Sequence, residues 1–280
     1  MRNFVLWLFE KRATPCEIAL FNFWHIFYFA LIVAGVITAG VFLKKASQKT
    51  QSKVFSALAI ALCALYAFDF FAIPLYNTHE CADGTVLYML DVDKLPFHIC
   101  TVLCPVVAFV QFNEKFYRFR EPVAILAIVA PLMYLTYPGS AVGDLSAFCY
   151  KVIQTFLYHG VLLAWGYLNL ATGTVKPVFK RCYKVLIGLV LIAAWAMIGN
   201  VVYSYNPYDY DASPHYDWFF LTGSTFPFVP KALMPFAVIA AVFCVALMVY
   251  GIYYLVIHIQ NRKNTTPDAK ENEQKEAATV

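Results

Sequence analysis

The chain has 280 residues, 61% of them apolar and only 14% charged, with 21 Lys and Arg against 17 Asp and Glu for a net charge of +4. A water-soluble domain carries about 25% charged residues, so this composition excludes one. No basic stripe with interleaved aromatics marks a nucleic-acid binder, which leaves membrane lipids as the expected partners.

Residues 1–21 open the chain as an interfacial segment. Met1 to Phe9 is apolar but too short for a signal-peptide core, and no small-residue cleavage site precedes Glu10-Lys11-Arg12. The segment is therefore expected to lie on the outer surface. Seven hydrophobic runs follow: 22–43, 54–76, 95–112, 122–137, 148–171, 183–205 and 232–259. Most reach the roughly 17–25 residues that a helix needs to cross the hydrocarbon, the fourth being the shortest. Without water, each backbone N–H and C=O must be satisfied inside its own segment, so these runs read as helices. The expected fold is an all-α membrane protein, a seven-transmembrane-helix bundle over residues 22–259. The polar stretch 260–280 lacks apolar payload and reads as a disordered cytoplasmic tail.

Charge orients the bundle. Lys44, Lys45, Lys49 and Lys53 share one side with Lys115, Arg118, Arg120, Lys176, Lys180, Arg181, Lys184, Arg262 and Lys263. The other side carries Glu80, Asp83, Asp91, Asp93, Asp144, Asp209, Asp211 and Asp217. Lys and Arg mark the cytoplasmic face, which places the N-terminus outside and the C-terminus inside a cell membrane. Arg2, Lys11 and Arg12 run against that assignment and are outvoted.

Of the eight cysteines, Cys63, Cys100, Cys104, Cys182 and Cys244 fall in or beside helices, where a thiol usually packs as a small hydrophobe. Cys16, Cys81 and Cys149 lie near the outer face, where a bridge between two of them is open to no particular assignment. There is no CxxC, no HExxH and no glycine-rich phosphate loop, so no cofactor is expected.

The polar residues inside the runs say more. His25, Asp69, His98, Gln154, His159, Asn200 and Tyr203 all fall in the outer half of their spans, with Cys100 two residues after His98. The cytoplasmic halves offer little beyond Gln111 and Asn169. Polar and ionisable groups at such depth face the bundle interior and mark a functional site. Each has a plainer reading: His25 as a satisfied interfacial histidine, Asp69 as a helix bridge, Asn200 and Tyr203 as interhelical contacts.

Pro96 suits a first helical position, which brings Cys100 within about a turn and a half of a helix N-terminus, where the dipole favours a thiolate. A base for that thiol must come from another helix. His159 lies at compatible depth, while Asn200 or Gln154 is placed to orient it or to hold an oxyanion. Lys151 heads a stripe with Thr155 and His159 at i+4 spacing; it is placed to hold a lipid phosphate or simply to snorkel. The aromatic and acidic loop 206–230 reads as a lid or as part of the interfacial belt.

The element Leu95-Pro96-Phe97-His98-Ile99-Cys100, then Tyr158-His159-Gly160, then Asn200 and its outer loop resemble the YwaF/TMEM164-like family of multipass membrane proteins, in order and spacing from the second run to the seventh. The vertebrate branch is described as an acyltransferase making polyunsaturated ether phospholipids with a catalytic Cys and His. The resemblance implies those roles for Cys100 and His159. Three functions follow for testing. One is a cysteine-dependent phospholipid acyltransferase or acyl hydrolase, with Cys100, His159, Asn200 and His98 as catalytic residues and Lys151, Gln154, Tyr203 and Asp69 binding substrate. Another is a metal-dependent seven-helix lipid hydrolase using His25, Asp69, His98 and His159. The last is a transporter or receptor that uses the pocket without chemistry.

Overall fold

Helix starts and stops follow local chemistry. The Asn22 side chain accepts from the His25 N–H at 3.1 Å and caps helix α1 (Phe23–Lys44), whose last residue is a cation suited to the C-terminal end of the dipole. Ser47 Oγ then accepts from Thr50 N–H at 3.2 Å, and Gln51 Nε2 reaches back to the carbonyls of Leu43 and Ala46, both at 3.1 Å. These bonds tighten the turn into α2 (Gln48–Ala72).

A computed structural model describes residues 16–72, 78–80, 83–88, 94–138, 145–204, 217–221 and 226–264. Among them α1 and α2 are followed by α3 (Ile99–Phe112), α4 (Arg120–Thr136), α5 (Tyr150–Ala171), α6 (Tyr183–Ser204) and α7 (Met234–Asn264). A short antiparallel hairpin, β1 (Thr78–Glu80) with β2 (Val86–Tyr88), precedes α3, in register Thr78 with Tyr88. Its Gly84 has φ +80°, which glycine adopts without strain. Beside it the Thr85 N–H donates to Asp83 Oδ1 at 2.9 Å and holds that carboxyl below the usual carboxylate range.

Successive helices run in opposite directions, as the contacts between their ends show. At one end Gln111 of α3 meets Ser56 of α2, Arg120 of α4 meets Asn169 of α5, and Tyr254 of α7 meets Pro177 ahead of α6. At the other, His25 of α1 meets the Leu135 carbonyl of α4. Five segments are long and apolar enough to cross a membrane: α1, α2, α6, α7, and α4 together with the 3₁₀ turn Glu114–Phe119 before it. Phe23, Phe42, Val201, Phe236 and Ile252 stand exposed along them, as lipid-facing residues would.

α2 begins at Gln48 and ends at Ala72, earlier at both ends than the predicted 54–76, and two other helices lack the length or apolarity of a span. α3 has 14 residues, about 21 Å at 1.5 Å per residue, short of the ~30 Å hydrocarbon. Its predicted start at Pro96 is corrected: Leu95 to His98 form a turn closed by Phe97 N–H to the Leu95 carbonyl at 2.8 Å, and His98 is the N-cap. α5 is long enough but carries too many polar groups to count as apolar.

α5 occupies the middle, packed against α4, α1, α2 and α3. Its contact with α4 is close at Gly166, where an added Cβ would lie 2.7 Å from the Ala124 carbonyl oxygen and 2.9 Å from the Ala127 carbonyl carbon. Backbone cannot move aside as a side-chain end can, so Gly166→Ala is expected to destabilise the bundle by about 1–3 kcal/mol. Thermal unfolding in detergent would read that as a lowered midpoint; an unchanged midpoint would mean that α4 and α5 separate freely.

The chain ahead of α1 differs from a surface segment over the residues described. The Ile18 N–H donates to the Leu145 carbonyl at 2.9 Å and the Ala147 N–H to the Cys16 carbonyl at 2.8 Å, and Ile18 is fully buried. Residues 1–15 lie outside the described residues. α7 runs to Asn264, past the predicted end at 259, so residues 260–264 are helical; 265–280 are outside the described residues. Cys149 carries a free thiol, and Cys81 is not among the described residues.

Candidate functional site

The turn leading into α3 and the first turn of that helix are gripped from three helices by aromatic side chains that donate to their carbonyls. Tyr66 of α2 donates to the Lys94 carbonyl at 2.7 Å, Trp195 of α6 to the Pro96 carbonyl at 2.7 Å, and Tyr158 of α5 to the Cys100 carbonyl at 2.9 Å. Thr101 Oγ1 adds bonds to the carbonyls of His98 (2.9 Å) and Leu95 (3.3 Å). Phe97 is buried between the rings of Trp195 (5.4 Å) and Trp218 (4.9 Å), against Gly199, where a Cβ would come within 2.6 Å of the ring. A segment without helical hydrogen bonds has its carbonyls satisfied in this way.

On that frame Cys100 is the second residue of α3, buried in the first turn. Its Sγ makes no hydrogen bond among the described residues, to His159 or to any other group. The two are joined through Tyr158, which grips the Cys100 backbone and whose ring stands edge-on to His159 at 5.4 Å. The His159 Nδ1 lies 2.7 Å from the Thr155 carbonyl. A carbonyl only accepts, so Nδ1 carries the proton and Nε2 keeps its lone pair. The imidazole is stacked on Tyr134 at 3.9 Å and 4°, which fixes its plane. His98 and Lys94 both lie within electrostatic reach of His159, and Asp217 within reach of His98.

The remaining predicted residues divide. Asp69 is buried and paired with Lys94 Nζ at 2.6 Å, with the Tyr150 hydroxyl in interaction range; it bridges α2 to the turn before α3. Asn200 is committed to Trp218, donating from Nδ2 to the carbonyl at 3.2 Å and accepting its N–H at 2.7 Å. It therefore does not orient His159. Tyr203 packs on Phe97 and Trp218. Gln154 is buried on α5, and Lys151 is half-buried at the start of that helix.

His25 stands apart from the others. Its Nδ1 accepts the Phe21 N–H at 2.9 Å, and its Nε2 donates to the Leu135 carbonyl at 2.8 Å. Both nitrogens are occupied, so it is a structural tie between α1 and α4. Consistent with this, no group of three or more His, Cys, Asp or Glu among the described residues is placed to hold a metal ion. The four-residue set weighed for a metal hydrolase is not assembled. Most of the expected lid, 206–216 and 222–225, lies outside the described residues.

A profile of the TMEM164 family matches residues 20–254 of the chain. The chain belongs to the TMEM164 family. The match spans all seven helices apart from the last turns of α7 and includes each residue of the site just described. No curated protein and no solved structure matches this TMEM164-family chain.

A second polar assembly lies at the opposite end of the family's helical domain, where little beyond Gln111 and Asn169 was expected. Those two amides hold Arg120, from Nε to Asn169 Oδ1 at 2.8 Å and from Nη2 to Gln111 Oε1 at 3.0 Å. The guanidinium lies over the rings of Tyr117 (5.1 Å), Phe55 (5.2 Å) and Trp165 (5.7 Å). Next to it Glu121 accepts the Val178 N–H at 2.8 Å and the Tyr250 hydroxyl at 3.3 Å, with Arg181 at 3.7 Å. Arg120 reads in sequence as one more cytoplasmic loop cation. The glutamate after it and the proline after that, both at ordinary first-turn helix positions, were the signal that it begins a helix.

Proposed function

We propose that this multipass membrane protein transfers acyl groups between lipids through a thioester on Cys100. The observation that carries the reading is the state of His159: Nδ1 is bound to the Thr155 carbonyl while Nε2 has no partner among the described residues. A histidine held in one tautomer with its second nitrogen free is a general base in waiting. Tyr158, the neighbouring residue, brings its helix against Cys100.

In this mechanism Nε2 takes the Cys100 proton, and the sulfur attacks the ester carbonyl of a donor lipid. The lipid alkoxide leaves with the proton from His159. An acceptor hydroxyl, deprotonated in turn by His159, then displaces Cys100. With water as acceptor the same site is an acyl hydrolase. Gln154 supplies the oxyanion donor, His98 and Asp69 shape the entrance, Lys151 binds the headgroup phosphate, and Asn200 holds Trp218 and, through it, Phe97. Tyr203 lines the acyl path beside them. The site opens to the outer side of a cell membrane, with the N-terminus out and the C-terminus in, because the Arg120 end carries the Lys and Arg.

The test is labelling of purified protein with an acyl-chain electrophile, in the wild type and in Cys100→Ala and His159→Ala. Labelling is expected to require both residues. Full labelling of Cys100→Ala would overturn the assignment of the nucleophile.

A further inference from the structure

α2 and α3 meet at two thiols that the proposed chemistry does not use. Cys104 lies one turn beyond Cys100 on α3, buried, and its S–H donates to Cys63 Sγ of α2 at 3.8 Å. Cys63 is half-buried, so it is the more accessible of the two. A disulfide has its sulfurs about 2.05 Å apart, so closing this pair takes roughly 1.8 Å of movement shared between two side chains. The backbone beside Cys104 offers less resistance than an ordinary helix. Pro105 has no N–H, so the Thr101 carbonyl lacks its helical partner there.

We propose that Cys63 and Cys104 form a reversible disulfide modification site that responds to hydroperoxides dissolved in the bilayer. Cys63 Sγ attacks the terminal peroxide oxygen; the O–O bond breaks, and the alkoxide leaves as an alcohol with the thiol proton. Cys63 is then a sulfenic acid. Cys104 attacks that sulfur, the S–S bond forms, and the hydroxyl departs as water with the Cys104 proton. Two thiols have lost two electrons, and one hydroperoxide has become an alcohol and water. The new bond would lie directly beneath the proposed site, because the Tyr158 hydroxyl that holds the Cys100 carbonyl also approaches Cys104. The modification does not depend on what Cys100 does.

Full-length protein in phosphatidylcholine liposomes would be titrated with cumene hydroperoxide until the exposed Cys244 is oxidised. It is then denatured, alkylated with N-ethylmaleimide and mapped by peptide mass spectrometry. Cys63 and Cys104 are expected to leave the alkylated pool together, at least tenfold below the untreated protein, and to reappear as one cross-linked peptide pair that dithiothreitol reverses. In Cys104→Ser the sulfenic acid on Cys63 should be trapped by dimedone instead. Full alkylation of both thiols at the dose that oxidises Cys244, or a cross-link from either one to a different cysteine, overturns the proposal.

Discussion

Cys100→Ala should reduce acyl transfer by roughly 10⁴–10⁶-fold, the scale on which enzymes lose turnover when a covalent nucleophile is removed. Alanine fills most of the cysteine volume and leaves the carbonyl that Tyr158 holds untouched, so the bundle should melt close to the wild type. His159→Gln keeps a polar side chain against Thr155 but removes the base, for an expected loss of about 10²–10⁴-fold. The two losses should not add, since each residue works only through the other. Mass spectrometry of defined donor and acceptor phospholipids in liposomes would measure both. A Cys100→Ala protein that turns over at the wild-type rate would end the thioester mechanism.

Arg120→Ala carries the largest expected structural cost. Arg120 is 6% exposed, and the two bonds of its guanidinium join α4 to α3 and α5 while its face covers rings from α2 and α5. Leaving the buried Asn169 oxygen without its donor costs about 1–3 kcal/mol, and the lost contacts of the guanidinium with the rings add about 2 kcal/mol, while Gln111 Oε1 keeps the Trp165 Nε1–H at 3.3 Å. Arg120→Lys should not rescue it, since a single ammonium cannot span both amides or stack flat on the rings. Unfolding midpoints in detergent decide the matter: a lysine variant as stable as the wild type would show that charge alone suffices there. Cys100 labelling, read at the far end of the bundle, should persist in whatever fraction stays folded.

The apolar spans were legible in the sequence, because apolar run length is a strong physical signal. Extents of α1, α4, α6 and α7 followed from the same runs to within a few residues at most ends. Direction was not legible. Periodicity gives the depth of His25 but not that its ring turns to the Leu135 carbonyl, and it gives the depth of Asn200 but not its bonds to Trp218. Lys94 sits one residue ahead of an apolar run and so counted as loop, though it pairs with the buried Asp69. Tyr66 and Trp195 carry no signal in the sequence, since nothing local says that a phenol or an indole will meet a carbonyl distant in sequence. The start of α3 was misplaced because Pro96 suits a turn as well as a helix, and contacts from three other helices decided between them.

The central position of α5 has a consequence for biogenesis. This helix bears Lys151, Gln154, His159 and Asn169 and is less apolar than the five segments able to span, so it partitions from the translocation channel into lipid less favourably than they do. Its neighbours α1, α2, α3 and α4 all precede it in the chain. By the time α5 is synthesised, the surfaces that receive its polar groups have already been made. The order of synthesis thus supplies a protein-lined slot in place of lipid, and the helix with the proposed base enters the membrane as a guest of the helices made before it.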